Sequence, residues 1–240
     1  MATALITGAG VRVGRAIALH LAREGWDLVL HAHRSLAPLE ELAAEARSLG
    51  RRVDLHTADL ADDAAVDALA EAVGAAHDRL DLLVHNAAIF EAVPVESIDR
   101  AAWRRMQAIN LEAPFFLTRA LLPALRAATS PCMIHVTDVG ADRPHPGYTH
   151  YSVSKAGLGM LTRALAVELA PLVRVNAVAP GTVAFPEDWD PDAQAATLAR
   201  IPLAREGDVF DVARAVHFLA TQPYVTGQVL AVDGGRSVML

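Results

Sequence analysis

Three side chains in the stretch TDVGADRPHPGYTHYSVSK, Thr137 to Lys155, have the types and spacing for proton chemistry: Asp138, Tyr151 and Lys155. Tyr151 and Lys155 stand at i and i+4, so they share a face if a helix starts just after the loop RPHPGYTH. A phenol there can give a proton to a substrate, and a nearby ammonium can lower its pKa from the ordinary value of about 10. Taken alone, such a pair is more often found on a helix surface than in a site. Asp138 is the unusual member. A carboxylate beside Tyr151 would raise the phenol pKa and oppose Lys155. That makes chemical sense if the acid is partly protonated and itself supplies a proton in a closed, apolar pocket. The plain alternative is an aspartate that caps a turn.

These residues need a scaffold, and the chain spells one out. Apolar runs rich in Val, Ile and Leu recur at 3–7 (TALIT), 27–32 (DLVLHA), 53–58 (VDLHTA), 80–85 (LDLLVH), 132–137 (CMIHVT), 173–178 (VRVNAV) and 228–233 (QVLAVD). Each reads as a strand. Stretches of helical period lie between them, such as Leu36, Leu39, Leu42, Ala43, Ala46 and Leu49, or Val66, Leu69, Ala70 and Val73. Alternation of this kind predicts an α/β chain: one doubly wound Rossmann domain over residues 1–240, with a seven-stranded parallel sheet and helices on both faces. Asp138 then falls at the carboxyl end of the fifth strand, the edge where such sheets bind ligands. The least regular piece, TVAFPEDWDPDAQ at 182–194, reads as part of a lid around 182–200 in which Phe185 and Trp189 could close over an aromatic ligand.

The first strand runs into TGAGVRVGRAIALHLAREG, where Gly8, Gly10 and Gly14 lie at the turn and the start of an amphipathic helix. That placement, rather than the glycines themselves, points to a dinucleotide diphosphate. Arg12 and Val13 sit inside the loop. The second strand ends in His31, Ala32, His33, Arg34 and Ser35, without the acid that would bond a ribose 2′-hydroxyl. Arg34 and Ser35 suit a 2′-phosphate instead, so the expected cofactor is NADPH. His31 and His33 lack partners for a metal set, and no metal is expected. After the third strand, Asp59 could bond an adenine amino group beside Leu60, and Asp62 could cap the next helix. Asn86, Ala87 and Ala88 follow the fourth strand, where small residues let backbone approach a cofactor.

Composition bounds the rest. The 240 residues are 53% apolar and 20% charged with a net charge of -7, enough for a substantial core and without a basic field for nucleic acid or anionic lipid. The local basic run RSLGRRV, Arg47 to Val53, reads as a solvated face. The single cysteine, Cys132, reads as buried filler. Without a leader-like or membrane-spanning run, the expectation is a soluble, cytoplasmic protein.

The glycine loop, NAA at 86–88, Asn110 in INLEAPFFL, YSVSK, RVNAVAPG and the terminal VDGG together resemble the short-chain dehydrogenase/reductase family over nearly the whole chain. The resemblance implies Tyr151 as proton donor, Lys155 on the nicotinamide ribose, Asn110 binding water in a proton relay, and Pro180, Gly181 and Thr182 flanking the nicotinamide. It also implies a homotetramer, which would suit the many-sided apolar helices at 111–125 and 153–170. Two departures matter: most of that family has serine where Asp138 stands and glycine where Arg12 stands. Thr7, Gly8, Arg12 and Gly14, with HAHRS and Asp138, are similar to the pteridine reductases, nearest the bacterial pterin or dihydromonapterin type. That likeness implies a planar pterin between Phe90 and the nicotinamide, with Arg12, Asp138 and Tyr151 around it. Two alternatives remain: a ketone reductase acting on a 3-oxoacyl thioester or sugar, and a cofactor-binding sensor without turnover. His145 and His150 are expected to be exposed loop histidines without chemical work.

Overall fold

The computed structural model describes residues 1–185 and 190–239. All seven expected strands form: β1 (Thr3–Ile6), β2 (Asp27–Ala32), β3 (Val53–Thr57), β4 (Leu82–His85), β5 (Cys132–Val136), β6 (Arg174–Pro180) and β7 (Val229–Val232). Every pairing is parallel, in the order β3-β2-β1-β4-β5-β6-β7. The helices are α1 (Arg12–Arg23), α2 (Leu36–Ser48), α3 (Asp63–Ala76), α4 (Arg100–Gln107), α5 (Ala113–Arg126), α6 (Thr149–Leu169), α7 (Pro191–Leu198) and α8 (Val209–Thr221).

Strand periodicity divides the core in two. Ala4 and Ile6 of β1 pack with α1, α2 and α8 on one face, while Leu5 packs with α3, α5 and α6 on the other. Both faces are therefore covered, which is why the strands read as nearly unbroken apolar runs. Helix starts follow local chemistry: Asp62 caps α3 by accepting from Ala64 N at 3.0 Å, and Asp99 caps α4 by accepting from Ala102 N at 2.7 Å. The Asp208 and Asp211 side chains form a reciprocal capping box on α8.

Three local expectations are revised. The basic run at 47–53 is not simply solvated: Arg47 donates to Val53 O at 2.7 Å, Arg51 to Gly25 O at 2.9 Å, and Arg52 pairs with the buried Asp27 at 2.8 Å. These arginines staple the loops that enter β2 and β3. His150 belongs not to an exposed loop but to the first turn of α6, and is fully buried, because the helix starts at Thr149 and turns that side chain inward. The irregular segment expected at 182–194 gives way to α7 from Pro191, whose preceding Asp190 and own proline form a helix-start signal. Trp189 lies outside the described residues.

Two glycines in helices give opposite expectations. A Cβ on Gly14 would lie 2.1 Å from Gly8 O and 2.5 Å from Asn86 Nδ2, whereas one on Gly74 meets nothing within 4 Å. Gly14→Ala should therefore destabilise by about 3 kcal/mol or more, and Gly74→Ala should stabilise by about 0.5–1 kcal/mol through the unfolded chain. Urea unfolding of both variants checks the contrast.

Candidate active site

The site forms where the strand order reverses, between β1 and β4. The Asn86 side chain donates to Thr7 O at 2.9 Å and to Gly8 O at 3.0 Å, while Asn86 N and Ala87 N both donate to Thr7 Oγ1, at 3.0 and 3.1 Å. This clasp brings the two loops so close that a Cβ on Gly8, whose φ is +65°, would sit 2.8 Å from Ala87 Cα. His31, buried in β2, completes the loop's support. Its Nε2 lies 3.1 Å from Ala58 O, so the proton belongs there and Nδ1 accepts from Gly8 N at 3.3 Å. Both nitrogens are thus engaged, and burial lowers its pKa to about 4, keeping the ring neutral.

Arg12 opens α1 with φ at +50°, a left-handed conformation that strains a side-chain-bearing residue. Its guanidinium donates to Ala184 O at 2.8 Å, across the mouth of the site. No described contact joins it to Phe90 or Asp138. Around the far end of the loop, His33 stands 3.7 Å from Asp59, and Ser35 lies against Gly10 with its hydroxyl unused for capping. Arg34 is exposed and makes no ion pair among the described residues. A narrow glycine floor, the end of β2 without an acid, and the exposed Arg34 have the geometry to hold a 2′-phosphorylated dinucleotide. Val13 and Leu60 are half-buried and buried beside it, and Pro180 ends β6, with Gly181 N donating to Val232 O at 2.9 Å.

The proton-handling groups converge from β5 and α6. Tyr151 donates to Asp138 Oδ2 at 3.0 Å, and Asp138 Oδ1 accepts from Gly140 N at 2.5 Å. Asp138 therefore caps a turn and binds the phenol at once, so its two sequence readings coexist. Lys155, buried on the same helix, donates to Val136 O at 2.8 Å and keeps further N–H donors for a ligand. Asn110 sits in a π turn, Ala108–Glu112, between α4 and α5. Its amide accepts from Ile89 N at 2.9 Å and donates to Ile89 O and Ser154 Oγ, each at 3.1 Å. The side chain is occupied in pinning the β4 loop to α6.

Electrostatics departs from the expected tuning. Burial first, and Asp138 second, raise the Tyr151 pKa well above the ordinary phenol value; Lys155 does not reverse this, its ammonium lying 5.9 Å from the ring centroid. The phenol is consequently protonated throughout the neutral range. Burial lowers Lys155 to about 8, with Asp138 pulling the other way. Behind the lysine, His135 of β5 stacks on His85 of β4 at 5.1 Å, and burial with the Lys155 charge holds His135 at about 3. Burial likewise raises Cys132 to about 11, so it is the inert filler expected.

An aromatic wall borders the Tyr151 hydroxyl. Phe90, 62% exposed, stacks on Tyr148 with centroids 4.4 Å apart and meets the Tyr151 ring edge-on at 4.7 Å. Tyr148 escaped notice in the sequence, although it lies three residues before Tyr151 as the cap of the same helix. The carboxyl-terminal turn also reaches the site: Arg236 donates to Thr182 Oγ1 at 2.6 Å and to His145 Nε2 at 3.2 Å. Only its position after VDGG hinted at that.

A family model described as enoyl-(acyl carrier protein) reductase matches residues 8–237. The chain belongs to the short-chain dehydrogenase/reductase family of NAD(P)H-using oxidoreductases. It is 35% identical to a 3-oxoacyl-[acyl-carrier-protein] reductase of Thermotoga maritima, over 96% of each chain. It is 34% identical to a dihydromonapterin reductase of Klebsiella pneumoniae, over 97% of this chain and 95% of that one. The structure of a FolM alternative dihydrofolate reductase 1 from Brucella suis, in complex with NADP, superposes with a TM-score of 0.92 at 31% identity, covering 100% of this chain and 96% of that one.

If Asp138 contributes to the raised Tyr151 pKa, Asp138→Ser should lower it while burial keeps it above about 10. Titration of 13C-labelled tyrosine by NMR, with Tyr148→Phe to assign the resonances, reads this directly. An unmoved Tyr151 curve would reduce Asp138 to a turn cap.

Proposed function

We propose that the chain is an NADPH-dependent reductase of pterins, converting a dihydropterin, and by the same chemistry a dihydrofolate, to the tetrahydro form. The observation that carries this reading is the 3.0 Å bond between Tyr151 and Asp138 beside the exposed face of Phe90. A ketone needs one proton donor, which Tyr151 supplies. Reduction of a ring C=N bond needs a proton at nitrogen, and an acid coupled to the phenol widens the means of delivering it. The flat Phe90 ring, braced by Tyr148, suits a planar heterocycle better than a flexible acyl chain.

Bound NADPH supplies the hydride. Gly8, Arg12 and Val13 cradle its diphosphate; His33, Arg34 and Ser35 take the 2′-phosphate, with Asp59 and Leu60 at the adenine. Asn86, Ala87, Pro180, Gly181 and Thr182 line the nicotinamide side, and Lys155 holds the ribose with N–H donors left over from Val136 O. The single proton that accompanies the hydride goes to the ring nitrogen from the hydrogen-bonded pair of Tyr151 and Asp138. Because the Asn110 amide is occupied, a relay water would use the backbone of its π turn. Phe90 and Arg12 hold the pterin, and Arg12 is bonded to Ala184 O, near the start of the lid expected around 182–200.

The exposed Phe115 and Phe116 on α5, with Val153, Met160 and Val167 on α6, support a homotetramer joined through those helices. No helix among the described residues is long and apolar enough to cross a membrane, and we place the enzyme in the cytoplasm. The 35% identical 3-oxoacyl reductase favours the second reading, a ketone reductase in which Asp138 is a neutral replacement of serine.

Oxidation of NADPH should be followed with dihydrobiopterin, dihydrofolate and an acetoacetyl thioester side by side. Turnover of a pterin is expected, and turnover of the thioester alone would sink the proposal. Asp138→Ser should lower pterin kcat by about 100-fold or more while NADPH affinity changes little. Arg12→Gly should cut pterin kcat/KM by about 10-fold or more, the scale of one charge-assisted hydrogen bond, yet leave stability equal or higher because the strained φ is relieved.

A further inference from the structure

Away from the active site, the last turn of α1 and the facing side of α8 bring two imidazoles and a carboxylate together. His20 and Glu24 stand at i and i+4 on α1 and its cap, and His217 comes from α8. The ligand atoms of the three lie within 4.8 Å of one another. The two rings meet edge-on with centroids 5.3 Å apart. Among the described residues, none of the three side chains makes a hydrogen bond or ion pair, so their donor atoms are uncommitted. We propose that His20, Glu24 and His217 form a divalent transition-metal site, of the kind that takes Zn2+, which clamps α1 to α8.

The donor chemistry is the argument. Two imidazole nitrogens and one carboxylate oxygen are a borderline set that suits zinc rather than calcium or magnesium, which prefer all-oxygen ligation. Tetrahedral zinc bonds of 2.0–2.2 Å place ligand atoms about 3.3 Å apart. The observed spread closes to that if the long, exposed Glu24 side chain turns inward. The i, i+4 spacing gives His20 and Glu24 one helical face, and His20 lies in the last turn, where the carbonyl end of the helix favours a cation. Two cations lie nearby, each facing a carboxylate that it shares with another arginine: Arg214 pairs with Asp211 at 2.5 Å, which Arg205 also approaches, and Arg23 reaches Glu45 at 3.7 Å, which Arg15 holds at 2.9 Å.

With three protein ligands, the fourth position stays open to water. The site lies at the far end of α1 from the glycine loop, so the metal would act as a strut between the nucleotide-binding helix and α8, not as a participant in hydride transfer.

The test is isothermal titration of the metal-stripped full chain with Zn2+, paralleled by Co2+ absorption and by thermal unfolding. One equivalent per chain, a tetrahedral Co2+ spectrum and a raised Tm are expected. His20→Gln and His217→Gln should each lower Zn2+ affinity by about 100-fold or more, the upper end of what losing a group that merely orients a ligand costs, and Glu24→Gln should weaken it less. NADPH binding, unchanged in all three variants, confirms folding. No saturable Zn2+ binding, or binding that survives both histidine substitutions, would overturn the proposal.

Discussion

The molecule depends on the clasp between Thr7 and Asn86. Parallel strands β1 and β4 are neighbours in the sheet but lie 77 residues apart in the chain, as the Thr7 hydroxyl and Val84 carbonyl show. Their carboxyl ends diverge into separate loops because the crossovers leave in opposite directions. Diverging backbone exposes polar groups that need partners. Asn86 supplies them with one amide, and Thr7 with one hydroxyl, so the crevice of the switch point is held open at a defined width. His31 performs the same task one strand away. The glycine loop is therefore shaped by side chains of β2 and β4 as much as by its glycines.

A second constraint acts at the opposite lip, where Asp138 must satisfy two donors. Its oxygens accept from Gly140 N and from the Tyr151 phenol, which ties the turn after β5 to the first turn of α6. A serine would offer these donors one shared oxygen; the carboxylate offers each its own. The same contact that orders the loop also raises the phenol pKa, so architecture and acid–base behaviour share an origin. Lys155, buried and bonded to Val136 O, is left with a depressed pKa of about 8 that a nearby anionic ligand would raise.

Relatives that share about a third of this sequence include a 3-oxoacyl reductase and a dihydromonapterin reductase. Fold and the Tyr-Lys pair cannot separate those activities, since both belong to the scaffold. The proposed discrimination between them rests on Arg12, Phe90, Tyr148 and Asp138. Arg12 is notable because the backbone bears a left-handed conformation to keep a guanidinium where glycine would be relaxed.

Most of the fold was legible because its signals are local. Seven apolar runs, their turns and the aspartate caps each act over a few residues, and the parallel order follows from the alternation with helices. The placement of Tyr151, Lys155 and the glycine loop was legible for the same reason. Contacts between distant segments were not: nothing near Tyr148 announces its stacking on Phe90, and nothing near Arg236 announces Thr182. Periodicity also could not tell that His150 turns into the core, or that RSLGRRV grips carbonyls across β2 and β3. The sequence by itself determined which groups have the chemistry to carry protons and on which elements they ride. Only the tertiary structure decided which of them touch, and so that burial and Asp138, rather than Lys155, govern the Tyr151 phenol, because desolvation and short-range charge depend on three-dimensional neighbours.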